Sequence, residues 1–154
     1  MSNDSPEEGS DNPIKCELID TSAWILGLRE GHPKISDLID SLIANNKARI
    51  CRPVILELLT GTKTEDQFRA LQEDLDSIET LTLTEGDWKK VYELGFKLKR
   101  EGLTVPSMDL IIVGLALQSD CGLIHADRHF DLIAELSVGP DADRVQNVLI
   151  ENGD

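Results

Sequence analysis

Short apolar runs of strand length alternate along this chain with segments of helical period, and no other feature constrains the fold as strongly. Runs at 15–19, 49–52, 80–83 and 122–125 predict strands. Between them Ile35, Leu38, Ile39, Leu42 and Ile43 follow the i, i+3, i+4, i+7, i+8 spacing of an amphipathic helix. Phe68, Leu71, Leu75 and Ile78 form a second stripe, and Trp88, Val91, Tyr92, Gly95 and Leu98 a third. Met108–Leu117 is apolar nearly all round and reads as a buried central helix. The alternation predicts an α/β fold with a mostly parallel central sheet and helices packed on its faces. Residues 145–150 read equally as an edge strand or a short helix.

With 154 residues the chain suffices for one compact domain and has no room for a second. Residues 1–13, MSNDSPEEGSDNP, are acidic and lack apolar periodicity, so a mobile tail is expected there and a single domain over 14–154. Fifteen Lys and Arg against 29 Asp and Glu leave a net charge of −14, which excludes general electrostatic attraction to nucleic acid. Screening shortens the repulsion to about 8 Å at physiological salt, and Lys89, Lys90, Lys97, Lys99 and Arg100 provide one local basic patch, although such a patch is usually a solvated helix face; six aromatic residues are too few to suggest a base-stacking platform. The longest apolar run, Leu110–Leu117, falls far below the roughly 18 residues of a membrane span, and the acidic N-terminus has no apolar signal core. A soluble, cytoplasmic protein without a membrane partner is expected. Cys16, Cys51 and Cys121 are odd in number and far apart, so they read as small buried hydrophobes rather than a disulfide framework or zinc site.

Four carboxylates interrupt apolar sequence. In ELIDTSAWI, Asp20 ends a strand beside the hydroxyls of Thr21 and Ser22, where a helix cap is the ordinary alternative. In PVILELLTG, Glu57 sits among Val54, Ile55, Leu56, Leu58 and Leu59, on a narrow helical face with Pro53, Thr60 and Gly61. In PSMDLIIVGLAL, Ser107 reads as an N-cap and Asp109 falls in the first helical turn, where negative charge stabilises by about 0.3–1 kcal/mol. In GLIHADRHFD, a strand ends at His125 and Asp127 enters the next turn. Each acid thus lies at the carboxyl end of a strand or the start of the following helix, the edge where open parallel sheets bind ligands. Four converging carboxylates repel unless a divalent cation holds them, and hard oxygen donors favour Mg²⁺ or Mn²⁺. Such a site suits phosphodiester hydrolysis by a metal-activated water.

In order and spacing these segments resemble the four acidic motifs of PIN-domain ribonucleases, especially the VapC-type toxins of toxin–antitoxin systems. The acids are separated by 37, 52 and 18 residues, and the resemblance covers about residues 14–138. It implies a PIN-like three-layer sandwich with strand order 3-2-1-4-5 and Mg²⁺-dependent endonucleolytic cleavage of RNA. It also implies a homodimer and inhibition by a cognate antitoxin, whose docking segment is expected to be basic. By position Asp20, Glu57, Asp109 and Asp127 match the catalytic, metal-binding acids. Thr21 or Ser22 matches the small hydroxyl residue beside the first acid. Two positions depart from the pattern: His125 stands where relatives often have Thr, and His129 where they often have a further acid. His125-x-Asp127-x-His129 has the composition of a transition-metal site, but the strand-to-helix break separates the imidazoles, favouring a hydrogen-bonded His125 and a surface His129.

The rival reading is a non-catalytic PIN-like binding module whose acidic groove holds a basic protein segment or a metal. A phosphoacceptor receiver domain would want paired acids at the first strand and a Lys at the last, and neither is present. Trp24, Ile25 and Leu28 crowd the helix after the first strand and are the candidate dimer surface.

Overall fold

The computed structural model describes residues 15–28, 31–136 and 145–147. The expected tail at 1–13 and the end of the 145–150 segment lie outside them. In chain order the elements are β1 (Glu17–Ile19), α1 (Thr21–Leu28), α2 (Pro33–Ala44), β2 (Ala48–Cys51), α3 (Arg52–Thr60), α4 (Glu65–Asp76), β3 (Glu79–Leu81), α5 (Glu85–Arg100), α6 (Ser107–Gln118), β4 (Gly122–His125), α7 (Arg128–Ala134) and β5 (Val145–Asn147). The strands form one sheet of order 3-2-1-4-5, the order that the resemblance implied. Every neighbouring pair is parallel. Val145–Asn147 resolves the open choice at the last segment in favour of an edge strand, pairing with Leu123–His125.

The core follows the apolar pattern. Leu18 and Ile19 of β1, Ile50 of β2, and Leu123 and Ile124 of β4 are buried against Val54, Leu58, Ile112, Phe130 and Ile133 from the flanking helices. Burying a side chain of this size contributes roughly 1.5–3 kcal/mol. Strands this short are stable only because helices cover them. Among the described residues no helix is long and apolar enough to cross a membrane.

Several local expectations are corrected. The second strand ends at Cys51 rather than residue 52, because Cys51 is the N-cap of α3 and Pro53 falls in the first turn, where its missing N–H leaves no hydrogen bond unmade. The third strand runs Glu79–Leu81 rather than 80–83, since Thr84 caps α5 through a reciprocal pair with Asp87. Ser107 is the first residue of α6 and Pro106 occupies the cap, with no side-chain cap bond. In α5 the buried stripe is Val91, Leu94 and Leu98, whereas Tyr92 points to solvent. The stripe of α4 is likewise only partly covered: Leu75 is buried, but Phe68 is exposed and the helix packs chiefly on α3.

Helices α5 and α6 lie antiparallel at close range. A Cβ at Gly114 would collide with Val91 Cγ2, and one at Gly95 would stand 3.0 Å from Leu110 Cδ1. Lys90 Nζ donates to Gln118 Oε1 at 3.2 Å, so the start of α5 meets the end of α6. The end of α5 therefore lies beside the start of α6.

Cys16 and Cys121 form a disulfide, which corrects their reading as free thiols. The cause is topological: β1 and β4 are paired neighbours, the two cysteines precede them at the same edge, and Gly122 N–H donates to Cys16 C=O at 3.0 Å. Their Cα atoms stand 4.9 Å apart, within disulfide reach. Cys51 is buried and free, as expected. Protein unfolded in denaturant without reductant should therefore take up one equivalent of alkylating reagent, at Cys51, by mass spectrometry; three equivalents would contradict the bridge.

Candidate active site

Because all the strands run in one direction, their carboxyl ends share one edge of the sheet, and the four acids are distributed along it. Asp20 directly follows β1, and its backbone N–H still donates to Ile124 C=O at 2.9 Å, which anchors it to the neighbouring strand. Its carboxylate is buried and accepts two bonds from Ser22, the backbone N–H at 3.0 Å and the hydroxyl at 2.6 Å. Ser22 Oγ in turn accepts the Ala126 N–H at 2.9 Å, tying the β1–α1 turn to the β4–α7 turn. Thr21 is buried too, with no hydrogen-bond partner for its Oγ1. The small hydroxyl role thus divides: Ser22 is a structural clasp, and Thr21 brings an unpaired oxygen.

Asp127 caps α7, accepting the His129 N–H on Oδ1 at 3.0 Å. Its own N–H donates to His125 Nδ1 at 3.1 Å. With Nδ1 accepting, the proton of the neutral His125 ring sits on Nε2, 3.3 Å from Asp131 Oδ1 but out of line for a hydrogen bond. Burial pushes the His125 pKa down, against the opposing pull of Asp131 and Asp20, which keeps the ring neutral near pH 7. The two histidines of the His-x-Asp-x-His segment separate as expected. His125 is fully buried, while His129 is exposed on α7 with Nδ1 3.1 Å from Asp127 Oδ1.

Asp109 lies half-buried in the first turn of α6, and Glu57 is exposed on α3. The Asp109 pKa is raised, first by burial and then by the charges of Asp20, Asp127 and Glu57, with His129 opposing them. Asp20 and Glu57 also act on Cys51, whose thiol is pushed up to about 11, chiefly by burial. That thiol stays protonated and unreactive. Asp20, Asp127 and Glu57 are therefore each close enough to influence Asp109. As the side chains stand, no group of three His, Cys, Asp or Glu among the described residues is arranged to enclose an ion. The donor set nevertheless fits a hard divalent cation: it consists of carboxylates, three like charges act on Asp109 with only His129 opposing them, and a buried hydroxyl beside Asp20 lacks a partner. The sequence reading missed Asp131. The available signal was helical spacing, since Asp131 lies four residues after Asp127 and shares its face.

Residues 18–136 match the PIN domain family, and the chain belongs to that family. It is similar to the ribonuclease VapC11 of Mycobacterium tuberculosis, at 28% identity over 124 residues, covering 78% of this chain and 92% of the relative. Among solved structures it is similar to VapBC2 of Rickettsia felis, determined with a DNA fragment from its promoter, with a TM-score of 0.69 and 18% identity over 85% of this chain and 97% of that one. VapBC-1 of nontypeable Haemophilus influenzae gives a TM-score of 0.65 and 22% identity, covering 79% and 94%. At these identities the solved structures establish the shared fold, and the acidic edge is argued from this chain's own residues.

The crowding has a testable sign. Unfolded, Asp109 titrates near 3.8, and folded it titrates higher. Its favourable contribution to stability is present below pH 3.8 and is lost as pH rises through the folded value. In EDTA, Asp109→Asn should melt at a higher temperature than the parent at pH 7, and the gap should close on acidification toward pH 3.8. A melting difference independent of pH would show that this carboxylate is not crowded.

Proposed function

We propose that the protein is a metal-dependent endoribonuclease, the toxin of a toxin–antitoxin pair. The observation that carries the reading is that Asp109, at the carboxyl edge of a parallel sheet, has its pKa raised by burial and then by the charges of Asp20, Asp127 and Glu57. Membership of the PIN family and similarity to a relative named as a VapC ribonuclease support it. Asp20, Glu57, Asp109 and Asp127 would hold Mg²⁺, with Mn²⁺ a workable substitute, and Thr21 lies beside Asp20 with a buried oxygen to offer. Such a cation, when bound, makes water a better nucleophile near neutral pH and offsets the charge that develops on a phosphodiester.

The protein's own residues set the frame for this chemistry. Ser22 fixes the Asp20 carboxylate and, through Ala126, its distance from Asp127. Neutral His125 holds the backbone of Asp127 by accepting its N–H, so it is a positioning residue. Asp109 receives the favourable field of the α6 N-terminus, which offsets part of the repulsion from the other acids. Glu57, exposed on α3, is the most adaptable of the four.

The antitoxin is proposed to dock a basic segment, presenting an Arg whose guanidinium matches the carboxylates and replaces the cation's charge. The site of action is the cytoplasm. A homodimer is proposed through the apolar surface around Leu28. Trp24 turns inward, but Leu28 is 52% exposed and lines two grooves of about 590 and 300 Å³ between α1, α2, α3 and α4. Both grooves are lined mainly by apolar side chains, and they suit a protein surface rather than a phosphodiester.

Purified protein should cleave a mixed RNA pool with Mg²⁺ or Mn²⁺ and not with EDTA, and Asp20→Asn or Asp109→Asn should lose at least about a hundredfold in rate, an electrostatic contribution of the usual size at such a centre. Undiminished cleavage by both variants would remove the activity from this site. No cleavage with either metal would leave the binding-module reading. Self-repulsion at −14 per chain opposes dimerisation, so light scattering should show the dimer tightening as salt is added. A monomer at low and high salt, at tens of micromolar, would refute the dimer.

A further inference from the structure

Half of the chain's six aromatic residues lie on α5, as Trp88, Tyr92 and Phe96, at successive i+4 positions about 6 Å apart along the helix axis. Trp88 is half-buried and its ring centroid stands 6.3 Å from that of Tyr92. Tyr92 is 67% exposed and Phe96 64%, the highest values among the exposed large hydrophobic side chains of the described residues. The same helix concentrates positive charge: residues 89–100 carry five of the chain's fifteen cations and one acid, Glu93, in a protein of net −14. Glu85 and Asp87 lie at the opposite, N-terminal end. Arg100 Cζ sits 5.7 Å from the Phe96 ring centroid, so the two side chains present one joint face, planar on one side and cationic on the other.

The position of this face gives it meaning. Gly95 lets α5 close on Leu110, the residue after Asp109, so Phe96 and the basic last turn begin where the acidic edge ends. A strand held at the carboxylates would be repelled by the surrounding acidic surface beyond the site. Screening limits that repulsion to about 8 Å at physiological salt, so cations adjoining the site decide the path. A second copy could pair its α5 antiparallel, setting Glu85 and Asp87 against the basic last turn, so that occupant is one of the outcomes of the test. Exposed rings interleaved with lysines and an arginine are the combination that binds single strands, through stacking that tolerates any base and through phosphate contacts.

We propose that α5 is the platform for a single-stranded stretch of the RNA substrate leading to the acidic edge, with bases stacking on Phe96 and Tyr92 and phosphates on Lys97, Lys99 and Arg100, with Lys89 further along. It rests on the ribonuclease reading and adds to it a binding surface outside the four acids.

The test separates the two. Binding of a fluorescein-labelled, unstructured single-stranded RNA is measured by anisotropy in the non-cleaving Asp109→Asn background, with Mg²⁺, across a salt series. Adding Tyr92→Ala and Phe96→Ala should raise Kd about tenfold or more and leave the salt slope unchanged. Adding Lys97→Glu, Lys99→Glu and Arg100→Glu should raise Kd and flatten the slope by about 2. Lys34→Glu, an exposed lysine on α2, should change neither. All these positions are exposed, and circular dichroism checks the fold. If otherwise native protein cleaves RNA and both α5 sets leave KM and Kd unaltered, the platform falls and the nuclease reading stands. Parent protein that neither binds nor cleaves RNA overturns both. If the aromatic substitutions dissolve a dimer in sedimentation velocity while RNA affinity per chain is unchanged, α5 is a contact between copies and the proposal fails.

Discussion

The site depends on the parallel pairing of β1 between β2 and β4. Glu17–Ile19 is three residues long, yet both of its edges are hydrogen-bonded and Leu18 and Ile19 are wholly buried. Pairing continues past its ends, through Glu17 N–H to Lys47 C=O and Asp20 N–H to Ile124 C=O. A strand so placed cannot shift by one residue without carrying Glu17 or Asp20 into a position that Leu18 or Ile19 fills in the apolar interior. The register fixes Asp20 in the row, and the common strand direction delivers Asp127, and Glu57 on the helix after β2, to the same edge. The helix preceding β4 then contributes Asp109 from its N-terminus. Four acids distant in sequence thus become neighbours through one short strand.

Such neighbours are costly, and the local structure shows how the cost is contained. Asp20 is satisfied by Ser22, Asp127 by the α7 backbone it caps, and Asp109 sits at the favourable pole of a twelve-residue helix. None of these arrangements cancels the burial and the repulsion that together raise the Asp109 pKa. A compact core supplies the remainder, which is why an acidic edge sits over an interior as apolar as Ile19, Ile112, Ile124 and Phe130.

Much of this was legible in the sequence. The four acids could be located because each interrupts an apolar run, and such runs are visible without a structure. The sheet was legible because α/β alternation has few solutions, and its order came from resemblance to a family whose membership the chain shares. What failed to show were features set by contact between distant segments. Cys16 and Cys121 are 105 residues apart, and their pairing follows only once β1 and β4 are known to be adjacent; each precedes its strand directly, a signal readable from the strand order. Tyr92 was misplaced because i+3 and i+4 positions both fit a stripe begun at Trp88, and the packing of Val91 against Gly114 rotates the helix so that Leu94 is covered instead. Asp131 was missed because its relation to His125 crosses from strand to helix.

Charge distribution gives the misplaced tyrosine its interest. A chain at −14 repels RNA at a distance, so attraction must come from a few groups near the point of contact. On the proposed reading there are two such sources: divalent charge held among Asp20, Glu57, Asp109 and Asp127, and the cations of α5, whose last turns lie beside the start of α6. The first is present only when the cation is, so affinity for RNA and readiness to cut it rise together. The second is permanent but local, and its rings add attraction that salt does not screen. A surface built this way disfavours RNA over most of its area and admits a strand along one line, making the acidity of the body part of the selectivity rather than an obstacle to it.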